Sequence, residues 1–352
     1  MPMASVSEFG EPQSVTAPLT ENAVFLVVTL ADDADAPERA LDVLTDVDAL
    51  VRAVGFRSLH GGLTCVVGIG SHAWDRMGLT PRPRFLHPFE QVVGDRHTAP
   101  STPGDLLFHI RASRHDLCFE LERLILDKLG NAVRVVDDTA GFRYFDARDL
   151  LGFVDGTENP TGDELAEVAY IDDEPGFEGG SYVITQRYTH DLGAWSRLST
   201  EEQERIIGRT KIDDVELDDD VMPSNSHVTL NTVTDDEGNE LDIVRFNMAF
   251  GSYAAGEVGT YFIGYAKNPS VTELMLRNMF VGEPPGNYDR ILDFSTATTG
   301  NLYFVPSAGR LAALDELASD AENEPAPPPA PEPASIDTDG SLRVGSLRGD
   351  GS

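Results

Sequence analysis

Two glycines bracket one carboxylate in Gly152-Phe153-Val154-Asp155-Gly156-Thr157-Glu158-Asn159-Pro160. Glycine admits positive φ and close backbone approach, and the Asn-Pro step excludes the α region at Asn159, so a rigid turn presenting Asp155 is expected here. An isolated Asp-Gly more often caps a turn than does chemistry, so its partners decide. Leu241 to Phe250 reads as one strand, in which Arg245 and Asn247 share a face and Phe246 takes the other. A guanidinium among Ile243, Val244, Phe246, Met248 and Phe250 is costly to desolvate unless something anionic meets it, whether a core carboxylate or a ligand. His227 closes Pro223-Ser224-Asn225-Ser226-His227, directly before a segment read as a strand over 228–233. Carboxylate, guanidinium, amide and imidazole together suit proton transfer and stabilisation of developing negative charge.

Other chemistries find less support. The eight histidines (residues 60, 72, 87, 97, 109, 115, 190 and 227) include no His-x-x-x-His pair and no zinc spacing with Cys or carboxylates. Gly-x-Gly-x-x-Gly and the phosphate-binding Gly/Lys/Ser loop are absent as well. One imidazole standing alone is more often structural, yet it is also all that a haem iron takes from a protein on its proximal side.

The 352 residues carry a formal charge of -34, from 60 acidic against 26 basic side chains. A surface of that sign repels phosphate backbones and anionic bilayers, which argues against nucleic-acid binding and for solubility. It also fits a high-salt cytoplasm, although the three lysines among the basic residues equally fit a genome bias. Cys65 and Cys118 are too few for a disulfide scaffold, so a reducing interior is expected. The first seventeen residues show no basic segment followed by an apolar run, and no stretch reaches the length of a membrane span, so neither a secretory signal nor a transmembrane helix is expected.

The elements that must position these residues fall into two sets. Strand, helix, strand, strand, helix, strand is expected over 22–30, 35–54, 63–70, 106–112, 114–129 and 132–137, the order of a ferredoxin-like unit, with a long loop at 80–104. Phe142 to Phe145 is expected to be a strand delivering the Asp155 turn. The second set has strands over 180–186, 228–233, 241–250, 260–265 and 300–305. Its helices are expected at 201–208, capped by Thr200 with Gln203 as reciprocal partner, and after a Ser270 cap to about Met279. Residues 235–239 read as a hairpin turn. The expected fold class is α+β, with duplicated ferredoxin-like domains whose antiparallel sheets carry helices on one face. From Asn323 proline dominates, an extended spacer, and Leu342, Val344 and Leu347 beyond it sit on a glycine-punctuated frame suited to docking on a partner or to a plain solvated end.

The chain resembles the dye-decolourising peroxidase family. Gly152-Phe153-Val154-Asp155-Gly156 matches that family's Gly-x-x-Asp-Gly signature, followed by the Thr-Glu-Asn-Pro of bacterial members. Asn225-Ser226-His227, Ile243 to Met248, Tyr261 to Tyr265 and Leu292 to Ala297 match in order and spacing, and coverage runs from about residue 12 to 312. The resemblance implies a homo-oligomer holding haem b largely in its second domain, with His227 as proximal iron ligand and Asp155, Arg245 and Asn247 on the distal side. It further implies Arg209 as a haem-propionate contact and Phe262 as a haem contact. Asp289, with Asp293 as runner-up, would take the proximal imidazole proton. Ala249-Phe250 departs from the Pro-Tyr or Pro-Phe of many relatives, and Phe246 stands at a variable position, which bears on pocket shape rather than on the reaction.

Asp339 to Arg348 is similar to the C-terminal peptide by which some of these peroxidases are packaged in encapsulin nanocompartments, with Arg343 and Val344 as mild departures. The implied organisation is an arm over 1–18, domains over 19–150 and 151–315, a linker over 316–338 and a targeting peptide over 339–352, of which 339–349 meets the shell. The implied activity is reduction of hydrogen peroxide with oxidation of dyes, phenols or other one-electron donors, in the cytoplasm and inside the shell. Bulky donors would be oxidised at surface Tyr or Trp sites such as Trp195. The alternatives are a deferrochelatase-like handler of haem iron and a non-enzymatic haem-binding cargo protein.

Overall fold

The computed structural model describes residues 10–323; the proline-rich spacer and the 339–349 peptide lie outside the described residues. Among the described residues twelve strands follow one another as β1 (Asn22–Leu30), β2 (Thr64–Gly70), β3 (Val92–Val93), β4 (Thr98–Ala99), β5 (Leu106–Ala112), β6 (Val133–Phe142), β7 (Ser181–His190), β8 (Val244–Arg245), β9 (Met248–Ser252), β10 (Glu257–Ala266), β11 (Ser295–Ala297) and β12 (Asn301–Val305). In the first half the antiparallel order is β2-β5-β1-β6 and in the second β9-β10-β7-β12. Each half thus runs second-third-first-fourth, the ferredoxin-like order, and the fold class is the α+β one expected.

The halves are not separate sheets. β12 pairs with β2 through Tyr303 and Phe304, and β6 pairs with β9 through Gly141 and Phe142, so eight strands close into an antiparallel ring. Each junction has a glycine where the other half presses close. A Cβ on Gly68 would come within 2.8 Å of Tyr303 Cβ, and one on Gly141 within 2.8 Å of Met248 Cβ.

Alternation along β1 shows how the ring is filled. Ala23, Phe25 and Val27 point inward with Tyr261, Ile263, Tyr265 and Tyr303, and the Phe25 ring stacks on Tyr261 at 4.0 Å. Val24, Leu26 and Val28 point outward under the helices Ala36–Gly55 and His115–Leu129, whose apolar stripes bury Leu44, Val47, Leu121 and Ile125. The N-terminal arm plugs one end. Val15 is buried inside, Gln13 exchanges hydrogen bonds with the Val67 backbone, and the buried Arg111 donates to the carbonyls of Ser14, Val15 and Ala17.

Several local expectations are corrected. Residues 228–233 are not a strand: His227–Asn231 is a helical turn, because the Ser226 hydroxyl accepts the Thr229 N–H and this cap outweighs the β-branched composition. Ser199 rather than Thr200 caps the helix Thr200–Ile207, and Gln203 donates to the Trp195 carbonyl instead of to the cap. Ser270 makes no side-chain cap; it is the first residue of the helix Ser270–Phe280, with Pro269 ahead of it. β6 ends at Phe142, and a 3-10 turn at Phe145–Ala147 leads to the Asp155 loop. Residues 316–323, expected within the linker, belong to a helix over Leu314–Asn323. The hairpin turn at 235–239 is present, closed by Asp235 N–H on the Asn239 carbonyl at 2.9 Å.

Candidate active site

A cavity of about 310 Å³ opens against β7, β8 and β10, between the 149–158 loop and the helices His227–Asn231 and Ser270–Phe280. Asp155, Arg209, His227, Arg245, Asn247 and Phe262 all line it. Residues far apart in sequence therefore share one space, which turn, helix and interrupted strand each supply from a different side.

The helical turn at His227–Asn231 sets the imidazole. His227 Nδ1 lies 2.7 Å from Asp289 Oδ2, and Asp289 is fully buried, with Oδ1 accepting the Ile291 N–H at 3.0 Å. An ionised carboxylate only accepts, so Nδ1 carries the proton and Nε2 keeps its lone pair. Asn231 Nδ2 donates to the His227 carbonyl at 2.8 Å and fixes the turn. The other histidine lining the cavity, His190, is held at both nitrogens, by Thr260 Oγ1 and Ser295 Oγ at 2.9 Å each, and burial pulls its pKa down to about 4. His227 is thus the cavity imidazole with a nitrogen to offer. Asp293 sits elsewhere, bonded to His97 and Tyr288, so Asp289 and not Asp293 partners the imidazole.

The Asp155 loop is built on positive φ at Gly152 (94°) and Gly156 (85°), which an L side chain resists. Asp155 N–H donates to the Ala147 carbonyl at 2.9 Å, and Asp155 Oδ1 accepts from Asn247 Nδ2 at 3.1 Å. The strand expected over 241–250 is interrupted at Phe246 and Asn247, between β8 and β9. Asn247 Oδ1 accepts the Ile263 N–H at 3.3 Å and so replaces a missing ladder bond. The alternation survives the break: Arg245 and Asn247 face the cavity while Phe246 packs inside the ring.

Sequence reasoning missed Asn159 and Asp149. Asn159 accepts the Arg245 N–H at 2.8 Å and donates to the Arg245 carbonyl at 2.7 Å, binding the loop to the strand through a backbone-like pair of bonds. No local pattern announces it, since Asn before Pro already has a turn rationale. Asp149 braces the same loop, its Oδ1 accepting the Phe153 N–H at 2.9 Å.

Electrostatically the cavity holds carboxyls above their ordinary range. Desolvation raises the Asp155 pKa, opposed by Arg245 and then by the Asn247 hydrogen bond. Desolvation and then the Asp155 charge push Asp149 up to about 7. Arg245 Nε is buried with no partner, and none of the ion pairs among the described residues involves this guanidinium. Arg209, by contrast, is engaged with Glu158 at 2.5 Å and Asp214 at 2.9 Å, with Glu216 at 3.6 Å. A propionate at Arg209 has to share or displace these carboxylates. Trp195 is no surface site: it is buried and its indole N–H donates to the Leu151 carbonyl at 2.9 Å.

Residues 12–143 match the family model described as Dyp-type peroxidase, N-terminal, and residues 146–310 match the one described as Dyp-type peroxidase, C-terminal. The chain is 55% identical to the dye-decolorizing peroxidase of Mycobacterium tuberculosis over 340 residues, 96% of this chain and 97% of that protein. Its structure is similar to that of a variant of Rhodococcus jostii DypB in complex with heme, with TM-score 0.85 and 62% identity over 86% of this chain and 98% of the other. It is also similar to the encapsulated DyP-type peroxidase from Mycobacterium smegmatis, with TM-score 0.83 and 56% identity over 86% of this chain and 97% of that one.

Proposed function

The chain belongs to the Dyp-type, dye-decolourising peroxidase family, and from that premise we propose that it is a haem peroxidase, reducing hydrogen peroxide and oxidising dyes, phenols or other one-electron donors. The observation that carries this reading is an imidazole whose Nε2 is left free by the Asp289 bond, in one cavity with an unpaired guanidinium and a carboxyl of raised pKa. These residues fit haem b. His227 Nε2 would hold the iron, Phe262, Met275 and Met279 would supply apolar wall, and Arg245 Nε, buried without a partner, would meet an anionic or oxygen group.

When bound, the haem iron supplies the two-electron reduction of peroxide and its recovery by single electrons from donors. The side chains have separate tasks. Asp289 holds the proton on His227 Nδ1 and strengthens the imidazole as a donor. Asp155, ionised, takes a proton from one peroxide oxygen and returns it to the departing one, a transfer worth about 10²–10⁴ in rate where geometry allows. Arg245 donates to the negative charge that develops as the O–O bond parts, and Asn247 keeps Asp155 in place.

The test is an absorption spectrum of the purified protein before and after one equivalent of peroxide. A Soret band that responds to peroxide, followed by dye turnover well above that of free haemin, is expected. Free protoporphyrin as the product would favour the iron-handling alternative, and turnover equal to free haemin the cargo alternative.

The encapsulated Mycobacterium smegmatis relative and the 339–349 peptide support packaging of this chain in an encapsulin shell in the cytoplasm. Co-expression with a shell protein should give shells that carry the full chain, and a chain truncated after residue 338 should stay outside with its activity unchanged.

A further inference from the structure

The strand ring has two ends. Where β1 begins and β5 stops, the N-terminal arm plugs it through Val15 and through the carbonyls that Arg111 holds. At the other end β1 and β2 stop while β5, β6 and β12 begin, and a second cavity of about 420 Å³ opens there, lined by Leu30, Ser71, Asp105, Arg134 and Asn301 among others. It shares no lining residue with the cavity that holds His227 and Arg245.

One wall is the 101–105 loop, tied to the ring at three points. Asp105 N–H donates to the Val28 carbonyl at 2.9 Å, Asp105 Oδ2 accepts the Leu30 N–H at 2.7 Å, and Asn301 Nδ2 donates to the Thr102 carbonyl at 2.6 Å. A wall fastened in this way keeps its shape without an occupant, as ligand sites generally do.

The charges of the lining are unequally matched. Asp105 is satisfied within the wall, since its second oxygen lies 3.1 Å from His72 Nδ1. Arg76 donates to the carbonyls of Ala31 at 2.7 Å and Leu30 at 3.3 Å, neutral acceptors that leave its charge uncancelled. Arg134 has no side-chain hydrogen-bond, ion-pair or ring partner among the described residues. Asp32 is the remaining charged group of the lining, and Phe89, Pro103 and Leu302 add apolar surface.

We propose that this end of the ring binds a small aromatic carboxylate, one ring bearing one carboxylate, which is held there without reaction. A chain of formal charge -34 repels anions over most of its surface, so an anion site needs local guanidinium charge that no carboxylate cancels. Arg134 and Arg76 supply that charge, and the planar fork of an arginine matches a carboxylate bidentately. The ligand ring lies on the apolar surface beside Phe89. Inorganic phosphate shares the charge but gains nothing from that surface, so the ring decides between them. The proposal does not depend on the peroxidase reading.

The experiment is calorimetric titration of the haem-loaded full chain with benzoate. Cyanide is present to occupy the haem iron, and the Soret band is followed so that binding beside the haem shows itself. One site is expected, with the Soret band unmoved, and with benzamide and inorganic phosphate each weaker by about tenfold or more. Arg134 is exposed and unpartnered, so Arg134→Gln leaves the fold intact; it should weaken benzoate by about tenfold or more. Asp32→Asn removes a like charge and should tighten benzoate by about threefold. No saturation by about 10 mM benzoate, or wild-type affinity in R134Q, overturns the site. A Soret shift that tracks the heat also overturns it, by placing the ligand beside the haem. Phosphate as tight as benzoate overturns the aromatic class, and weaker benzoate binding in D32N overturns the assigned charge.

Discussion

Asn247 spans two tasks with one amide: its nitrogen donates to Asp155 at 3.1 Å and its oxygen accepts the Ile263 N–H at 3.3 Å across the gap between β8 and β9. The side chain that mends the sheet is therefore the one that steadies the cavity carboxyl. Asn247→Ala removes a hydrogen bond that lowers the Asp155 pKa, leaving desolvation, which raises it, less opposed. The pH above which Asp155 is ionised then moves up. Stopped-flow rates of reaction with peroxide should show the acid limb displaced to higher pH; a limb at the wild-type position would separate Asn247 from Asp155 function.

Asp155→Ala and Arg245→Leu divide proton transfer from charge stabilisation. Loss of a positioned base is expected to slow the peroxide reaction by about 10²–10⁴, and loss of the guanidinium by about 10²–10³. If the first variant reacts at the wild-type rate and the second collapses, the guanidinium alone polarises peroxide and Asp155 is not the base.

His227→Ala removes the nitrogen that Asp289 leaves free, and titration with haemin should give no specific Soret band. Asp289→Asn keeps a polar group but loses the charge that holds the imidazole proton. Haem should still bind, with affinity or activity down about 10–100-fold. The ferric/ferrous potential should rise, as spectroelectrochemistry reads directly; an unmoved potential would contradict the donor-strengthening role.

Asp149 is raised to about 7, above the ordinary Asp value of 3.8. Between those two pH values the folded protein holds a proton that the unfolded chain has released, so this group makes stability fall as pH rises, and the penalty is complete above 7. Asp149→Asn retains an acceptor for the Phe153 N–H without the charge. Allowing for its partial exposure, the variant should be more stable by about 2 kcal/mol at pH 8, with the difference closing toward pH 4. Denaturant melts across that range check it, and a gap independent of pH would remove Asp149 as the cause.

The residues that were legible in the sequence are those whose type conflicts with their surroundings. Arg245 in an apolar run and Asp155 between glycines announce themselves, and the two-residue parity of Arg245 and Asn247 holds even though the strand is broken. Asn159 was illegible because its partners are the backbone atoms of a residue 86 positions away, which leaves no trace in local pattern. The helical turn at His227–Asn231 was misread because Val228-Thr229 favours a strand by composition, whereas one hydroxyl at Ser226 decides the geometry. The two ferredoxin-like repeats follow from local order, but their joining does not. Each junction consists of two residue pairs, too short for any periodicity to carry.

Those two short junctions decide how the molecule behaves in a crowd. A hinge between repeats would let the cavity gape like jaws; strands laced into a ring make it instead a recess in the wall of a stiff vessel, whose exchange with the outside falls to the 149–158 loop and the helices beside it. Lacing also leaves the main sheet almost without frayed hem, since its singly paired strands, β8 and β11, are two and three residues long. Copies brought together at high concentration find little exposed backbone on which to stitch themselves into aggregates.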